Sequence, residues 1–356
     1  MINKIEEINF KEIKRISPSQ FYSMKNCAYK SLLTEAFDNK PLLPISVNAH
    51  FGIVFHKVLE LILKGVIKNE DDFNEEFEKK IKELEDDLMK NGFSFLVPVK
   101  IKVKNIGLKK AQLKKHLRSK TEQSTSWKST KFYSEKWLES NDKLIGGKVD
   151  LIIKKSNSIE IVDFKTGAII EDYLDGKGGV FADIKSGYKE QLKLYAYLYF
   201  ENTSKFPTSL SLVNLTKQKF SVEFTEEECK SVFEEAKRLL ITTNDSVRTG
   251  AFSATPKEEN CKYCLFRPAC SFFLRKLEKD FSLNDVMGEI KDVKKFKNGK
   301  MSVFLHTGKR LVTIKNFNAD GFDYFMGSNK KISIYNLRKE VAEFIYSATD
   351  TTMIYE

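Results

Sequence analysis

Leu144–Lys165, LIGGKVDLIIKKSNSIEIVDFK, decides the fold. Two apolar runs, Val149–Ile153 and Ile159–Val162, flank Ser156-Asn157-Ser158, and those three residue types favour a turn. The segment reads as two neighbouring strands. Asp150 lies on the first, Asp163 ends the second, and Lys165 follows two positions later. Side chains alternate along a strand, so Asp163 and Lys165 share a face. Burying an unpaired charge is costly, so an Asp and a Lys that end a buried strand must be paired or functional.

Two carboxylates brought together repel, and a hard divalent cation such as Mg²⁺ or Mn²⁺ resolves the repulsion. Such a cation lowers the pKa of a coordinated water and polarises a phosphate oxygen. Lys165 can orient that water or neutralise charge developing on the phosphate. The residue types fit phosphodiester hydrolysis. The competing reading is two ordinary strand-end aspartates and a surface lysine, because D-x-K triplets are common.

Context lies on both sides. Residues 48–68 carry Phe51, Val54, Phe55, Val58, Leu59 and Ile62 at helical spacing. His56 and Glu60 share one face of that helix, and a neutral imidazole can join a carboxylate site as a metal ligand. Downstream, Tyr188–Phe200 reads as a helix with Gln191 and Tyr195 on one face. Each pair alone is more often helix surface plus core.

Together the pieces resemble the RecB-like branch of the PD-(D/E)xK nucleases. The order is FGIVFHKVLE, GGKVDLI, VDFKTG and EQLKLYAY, matching GxxxHxxLE, GxxD, DFKTG and QxxxY over roughly residues 17–275. The resemblance implies an α/β, restriction-endonuclease-like core with a central mixed sheet flanked by helices. It implies His56, Asp150 and Asp163 as metal ligands, assisted by the Phe164 backbone carbonyl. Lys165 is implied as the catalytic lysine, with Gln191 and Tyr195 supporting it and Glu60 beside the ligand set. The implied activity is metal-dependent DNA cleavage, as an exonuclease on single strands or duplex ends in repair, recombination or DNA processing.

Cys261, Cys264 and Cys270 fall within ten residues, and such clustering in a reducing compartment points to metal. Cys27 is the natural fourth ligand. Four thiolates hold either a 4Fe-4S cluster or Zn²⁺. The order, one cysteine before the core and three after it, is similar to the iron–sulfur staple of AddB-type nucleases and of the CRISPR adaptation nucleases, which implies the cluster. Cys229, inside a helix opened by the Thr225/Glu228 capping box, reads as a small buried hydrophobe.

The net charge of +11 in 356 residues favours a polyanionic partner. The excess is uneven: residues 100–131 hold eleven Lys or Arg and one acid, Glu122. With Trp127, Phe132 and Tyr133 nearby, that stretch reads as a nucleic-acid surface or as a solvated helix. No apolar stretch is long enough for a membrane span, and the charged opening residues show no signal peptide. The expectation is a cytoplasmic protein. No phosphate loop is present, so any unwinding falls to a helicase or another protein partner.

The expected organisation is a nuclease domain over residues 1–280, with a basic helical insertion at 66–131, and a small β-rich domain over 281–356. Asn298-Gly299 and Thr307-Gly308 mark hairpin turns in the latter. An OB-like barrel is the expected topology, with Phe296, Phe304 and Phe317 available either for stacking or for the core. A catalytically silent DNA-binding subunit of a helicase–nuclease complex is the alternative function.

Overall fold

The computed structural model describes all residues except 1, 123–129, 166, 175–179, 215, 280–283, 309, 320–324 and 326–329. Trp127 and Thr166 lie outside the described residues, as does the side chain of Glu122.

The helices are α1 (Pro18–Asn26), α2 (Ala28–Ala36), α3 (Val47–Lys64), α4 (Glu70–Lys90), α5 (Val99–Lys102), α6 (Ile106–Glu122), α7 (Ser186–Thr203), α8 (Glu226–Thr249), α9 (Glu258–Cys261) and α10 (Ser271–Glu278). The strands β1 (Lys131–Glu139), β2 (Gly146–Lys154), β3 (Ile159–Lys165), β4 (Ile170–Leu174), β5 (Val180–Ile184), β6 (Ser209–Asn214) and β7 (Lys219–Val222) precede α8. The strands β8 (Val286–Lys295), β9 (Lys300–His306), β10 (Leu311–Asn318), β11 (Lys331–Tyr335), β12 (Arg338–Lys339), β13 (Ile345–Ser347) and β14 (Met353–Tyr355) follow α10.

The described chain separates into two compact units. One unit comprises residues 13–28 and 47–249. Its sheet has the order β1-β2-β3-β6-β7. Strand β3 runs parallel to β6, and the other neighbours are antiparallel. A parallel pair needs a long crossover. Here the crossover contains the β4–β5 hairpin and α7. Helix α7 packs on β1, β2, β3 and β6, and it buries Leu192, Leu194, Ala196 and Leu198.

Local chemistry sets the helix starts. Pro18 takes the first helical position of α1, where no N–H is needed, and Gln20 Oε1 accepts from the Ser17 N–H at 3.1 Å. Asn69 caps α4 by accepting from the N–H groups of Asp71 and Asp72, both at 2.9 Å. The Thr225 hydroxyl accepts from Glu228 N–H at 3.1 Å while the Glu228 carboxylate accepts from Thr225 N–H at 2.9 Å, so the capping box forms as its spacing predicts.

One expectation is corrected, and one stretch gains a structural explanation. Residues 168–187 are Gly- and Asp-rich, a composition that by sequence reads as a loop, yet they contain the antiparallel β4–β5 hairpin. Tyr173 and Phe181 face each other across it with ring centroids 5.7 Å apart, a cross-strand pair that offsets the poor strand propensity of its neighbours. Part of the basic stretch is tied to the domain by ion pairs. Lys114 pairs with Glu70 at 2.9 Å, and Lys100 and Lys110 pair with Glu78, all on α4. Lys110 lies 4.7 Å from the Phe77 ring and Lys109 lies 5.3 Å from the Phe51 ring. These lysines place their ammonium groups over aromatic rings of α3 and α4. Helix α6 is therefore held to the domain by the charges that distinguished it in sequence.

The other unit comprises residues 1–12, 29–46 and 250–356. Its sheet has the order β12-β13-β10-β9-β8-β11-β14, with β10 and β13 parallel. Bulges at Ile290/Asp292 in β8 and Ile314/Phe317 in β10 bend it into a curled half-barrel. Gly288 permits close approach of β9: a Cβ there would stand 2.7 Å from the His306 carbonyl oxygen. Phe317 belongs to the core beside Phe325, Phe304 is half-buried, and Phe296 is exposed.

Candidate active site

Strands β2 and β3 bring Asp150 and Asp163 together as their hairpin pairing predicts. Asp150 Oδ2 accepts from the Phe164 N–H at 2.7 Å. Asp163 is 3% exposed and its Oδ1 accepts from Gln191 Nε2 at 2.8 Å. Gln191 Oε1 accepts in turn from Lys165 Nζ at 2.9 Å. One side-chain amide on α7 thus fixes both the acid and the lysine of the D-x-K triplet. Lys165 Nζ also lies 2.7 Å from Asp163 Oδ2 and 4.4 Å from the Tyr188 ring centroid.

Asp163 Oδ2 is buried and accepts no hydrogen bond of good geometry. Lys165 therefore opposes its charge without saturating its lone pairs. A buried carboxylate oxygen in this state is suited to a further ligand. The Asp150 carboxyl is pushed up to about 7, first by burial and then by the charge of Asp163, with Glu135 adding to it. Burial holds the His56 imidazole below its ordinary value, so the neutral form that binds metal is favoured. His56, Phe164 and Lys165 share a narrow recess with His116 and Asn214.

The donors fit a divalent cation: hard carboxylate oxygens, one of them an unsatisfied acceptor. Among the described residues, no three His, Cys, Asp or Glu side chains stand close enough to form a cage on their own. His56 is thus not drawn onto Asp150 and Asp163 as a third ligand in this arrangement. Mg²⁺ commonly uses one or two carboxylates and completes its shell with water and substrate phosphate, which two aspartates permit.

Tyr195 donates its hydroxyl to the Lys148 carbonyl at 2.7 Å, and burial together with the two aspartates raises its pKa, so it stays a donor. This contact needs Gly147. A Cβ there would stand 2.9 Å from Pro18 Cδ and 3.3 Å from the Tyr195 hydroxyl oxygen. We expect Gly147→Ala to cost about 1–3 kcal/mol, read as a lowered thermal midpoint, because the Pro18 ring cannot move without shifting α1.

Glu60 pairs with Lys64 one turn along α3, and its charge acts on Glu135. Glu135 is absent from the sequence-based set. Flanking pairs Ser134↔Leu151 and Lys136↔Val149 place it opposite Asp150, and its φ is +52°, a left-handed value unusual inside a strand. The signal that finds it is the hairpin register, which is legible only once the 140–145 turn is known. His116 and Tyr188 were also missed, the former hidden among the lysines of α6.

The cysteines fall in different units: Cys27 with residues 13–28, and Cys261, Cys264 and Cys270 with 250–356. Cys264 and Cys270 are buried. Cys270 Sγ accepts from Phe273 N–H at 3.4 Å and caps α10. The buried Arg267 guanidinium donates to the carbonyls of Cys261 (3.0 Å) and Cys264 (2.7 Å) and to Asp285 (2.7 Å), tying the cysteine loop to the chain entering β8. Burial pushes the Cys229 thiol up to about 12, in keeping with a small buried hydrophobe. Among the described residues, no helix is long and apolar enough to cross a membrane.

No curated protein matches the chain. Among solved structures, a candidate exonuclease from Eubacterium rectale is 11% identical, with a TM-score of 0.38 over 76% of this chain and 89% of that one. The protein SSO0001 is 15% identical, with a TM-score of 0.25 over 46% of this chain and 75% of that one. Likenesses this distant carry no argument. The family comparison does: residues 15–271 match the PD-(D/E)XK nuclease superfamily, and the matched span contains the whole Asp150, Asp163, Lys165 and Gln191 network. The chain belongs to the PD-(D/E)XK nuclease superfamily.

Proposed function

We propose that the protein is a metal-dependent deoxyribonuclease of the RecB-like branch, acting as an exonuclease on single strands or duplex ends. The observation that carries the reading is the Gln191 bridge. It holds Lys165 beside Asp163 while Asp163 Oδ2 is left without a hydrogen bond.

Asp150 and Asp163 would hold Mg²⁺ or Mn²⁺, and the sequence resemblance adds His56 and the Phe164 carbonyl as further ligands. When bound, the cation supplies Lewis-acid polarisation of the phosphate and acidifies water. The chain's own groups do the rest. Lys165 keeps a fixed ammonium beside the phosphate, where it offsets charge that grows as water attacks phosphorus and the P–O3′ bond breaks. Gln191 keeps that ammonium from swinging onto Asp163 alone. Tyr195 and Gly147 hold β2 against α7, so that Asp150 stays in register. Glu60 and Glu135 lie beside the ligand set and raise its negative potential. Residues 1–280 serve as the nuclease domain in this reading, with 66–131 as an insertion. Residues 281–356 serve as an accessory domain whose curled sheet works as OB-like sheets do, by receiving single strands. DNA is the partner, with a helicase or another protein supplying unwinding, and the expected compartment is the cytoplasm.

Linear and circular single-stranded DNA separate the modes of cutting. An exonuclease degrades the linear form and spares the circle. Equal loss of both would make the enzyme an endonuclease.

We also propose that Cys27, Cys261, Cys264 and Cys270 carry a 4Fe-4S cluster, with Zn²⁺ as the alternative. The support is their order and spacing and the Arg267 clamp that shapes their loop. Anaerobically purified protein should contain iron and acid-labile sulfide and absorb in the visible, and Cys261→Ala should lose most of that absorption. Stoichiometric zinc in colourless protein would replace the cluster by the alternative.

A further inference from the structure

The unit formed by residues 1–12, 29–46 and 250–356 carries a cleft that the nuclease reading does not use. It encloses about 340 Å³ and is lined by Met287, Thr307, Arg310, Lys339, Phe344 and Tyr346, among others. That volume falls at the lower end of the range for small-ligand sites.

Its chemistry is specific. Strands β12 and β13 pair antiparallel, with Lys339 opposite Tyr346, and the hairpin tip between them presents Phe344. The Phe344 ring is 37% exposed, and its φ is +58°. A bulky aromatic residue in the left-handed region is an outlier of the kind that collects at functional sites. The conformation is held by a hydrogen bond from Thr313 N–H to the Phe344 carbonyl at 2.9 Å. The Arg310 guanidinium lies 4.3 Å from the Phe344 ring centroid. Two aromatic rings, a stacked guanidinium and the Lys339 ammonium therefore line one cleft. Three acids also line it: Asp285, neutralised by Arg267; Glu278, paired with Lys331; and Glu343.

Aromatic faces beside arginine and lysine form the chemistry that receives a nucleotide of an unpaired strand: rings and guanidinium planes stack on the base, and cations take the phosphate. A duplex hides its base faces and cannot use the rings. A free anion needs no ring. We propose that this cleft binds one nucleotide of single-stranded DNA, with the base against Phe344 and Tyr346 and the phosphate against Arg310 and Lys339. The choice of DNA as the strand rests on the nuclease reading.

The test uses full-length protein carrying Lys165→Ala, in EDTA, so that nothing is cut. The anisotropy of fluorescein-labelled oligothymidylate reads its Kd across a salt series. Phe344→Ala should weaken binding between about five- and a hundred-fold, the worth of one stacked base. Arg310→Ala should weaken it and flatten the salt dependence by about one unit of slope. Phe344→Trp should bind at least as tightly as the parent, which separates stacking from damage to the hairpin. Unlabelled duplex should compete poorly. Unchanged affinity and slope in both alanine variants would overturn the proposal, as would equal competition by duplex. If wild-type protein cuts no DNA yet Phe344→Ala still weakens binding, the nuclease reading fails and this one stands.

Discussion

Lys165→Ala should cut DNA about 10²- to 10³-fold more slowly than the wild-type protein while still binding it. The loss is that of one charge aimed at the reacting phosphate in a site shielded from water. Binding should survive, because Lys165 is one cation among many and Gln191 keeps its bond to Asp163. Lys165→Arg should rescue little. The guanidinium is planar and longer, and the slot between Gln191 and the Tyr188 ring is set for an ammonium. Rates under single-turnover conditions and Kd from anisotropy check both halves. A Lys165→Ala protein that cuts at an undiminished rate would remove the lysine from the mechanism.

Asp150→Asn should abolish cleavage and, without metal, stabilise the fold. The sign follows from the raised carboxyl. In the unfolded chain Asp150 ionises near its ordinary value of 3.8; in the folded chain it is pushed up to about 7. Below pH 3.8 both states hold the proton, and the group has no effect. Between the two values the folded state binds more protons, so stability falls as pH rises, and the full cost is present above about pH 7. Asparagine removes that cost and keeps an oxygen for the Phe164 N–H. We expect a gain of about 1–3 kcal/mol at pH 8, vanishing near pH 4, from melts in EDTA. Mn²⁺ should raise the midpoint of the wild-type protein and leave that of Asp150→Asn nearly unchanged, because the carboxylate that recovers the cost is gone. A variant less stable than wild type at pH 8 would mean that Asp150 is a structural anchor and not an acid held under strain for a cation.

The parts of this site legible in sequence are those set by local periodicity. Strand alternation puts Asp163 and Lys165 on one face, and helical spacing puts Gln191 and Tyr195 on another. The fold needed only to bring α7 across β3 for the network to close. Glu135 was not legible, because its position opposite Asp150 depends on how many residues the 140–145 turn consumes, which no local pattern states. The packing of the α6 lysines was not legible for a related reason. Charge counting shows how many cations a helix carries but not that Glu70, Glu78 and the rings of Phe51, Phe73 and Phe77 wait beneath it. The β4–β5 hairpin was hidden because its support, the Tyr173–Phe181 pair, is separated by a Gly-rich stretch of sequence. In the C-terminal region the turns at Asn298-Gly299 and Thr307-Gly308 were readable, with φ of +73° and +81° at the two glycines. The order of seven strands, including β13 running parallel to β10, was not, since it is fixed by contacts distant in sequence.

The most direct test of the central claim is cleavage of end-labelled single- and double-stranded DNA by the purified protein with Mg²⁺, with Mn²⁺ and with EDTA, beside Asp163→Ala. Cleavage should require the metal and disappear in the variant, with the product ladder giving polarity. Cleavage that persists in EDTA, or that Asp163→Ala performs as well as the wild-type protein, would contradict the claim.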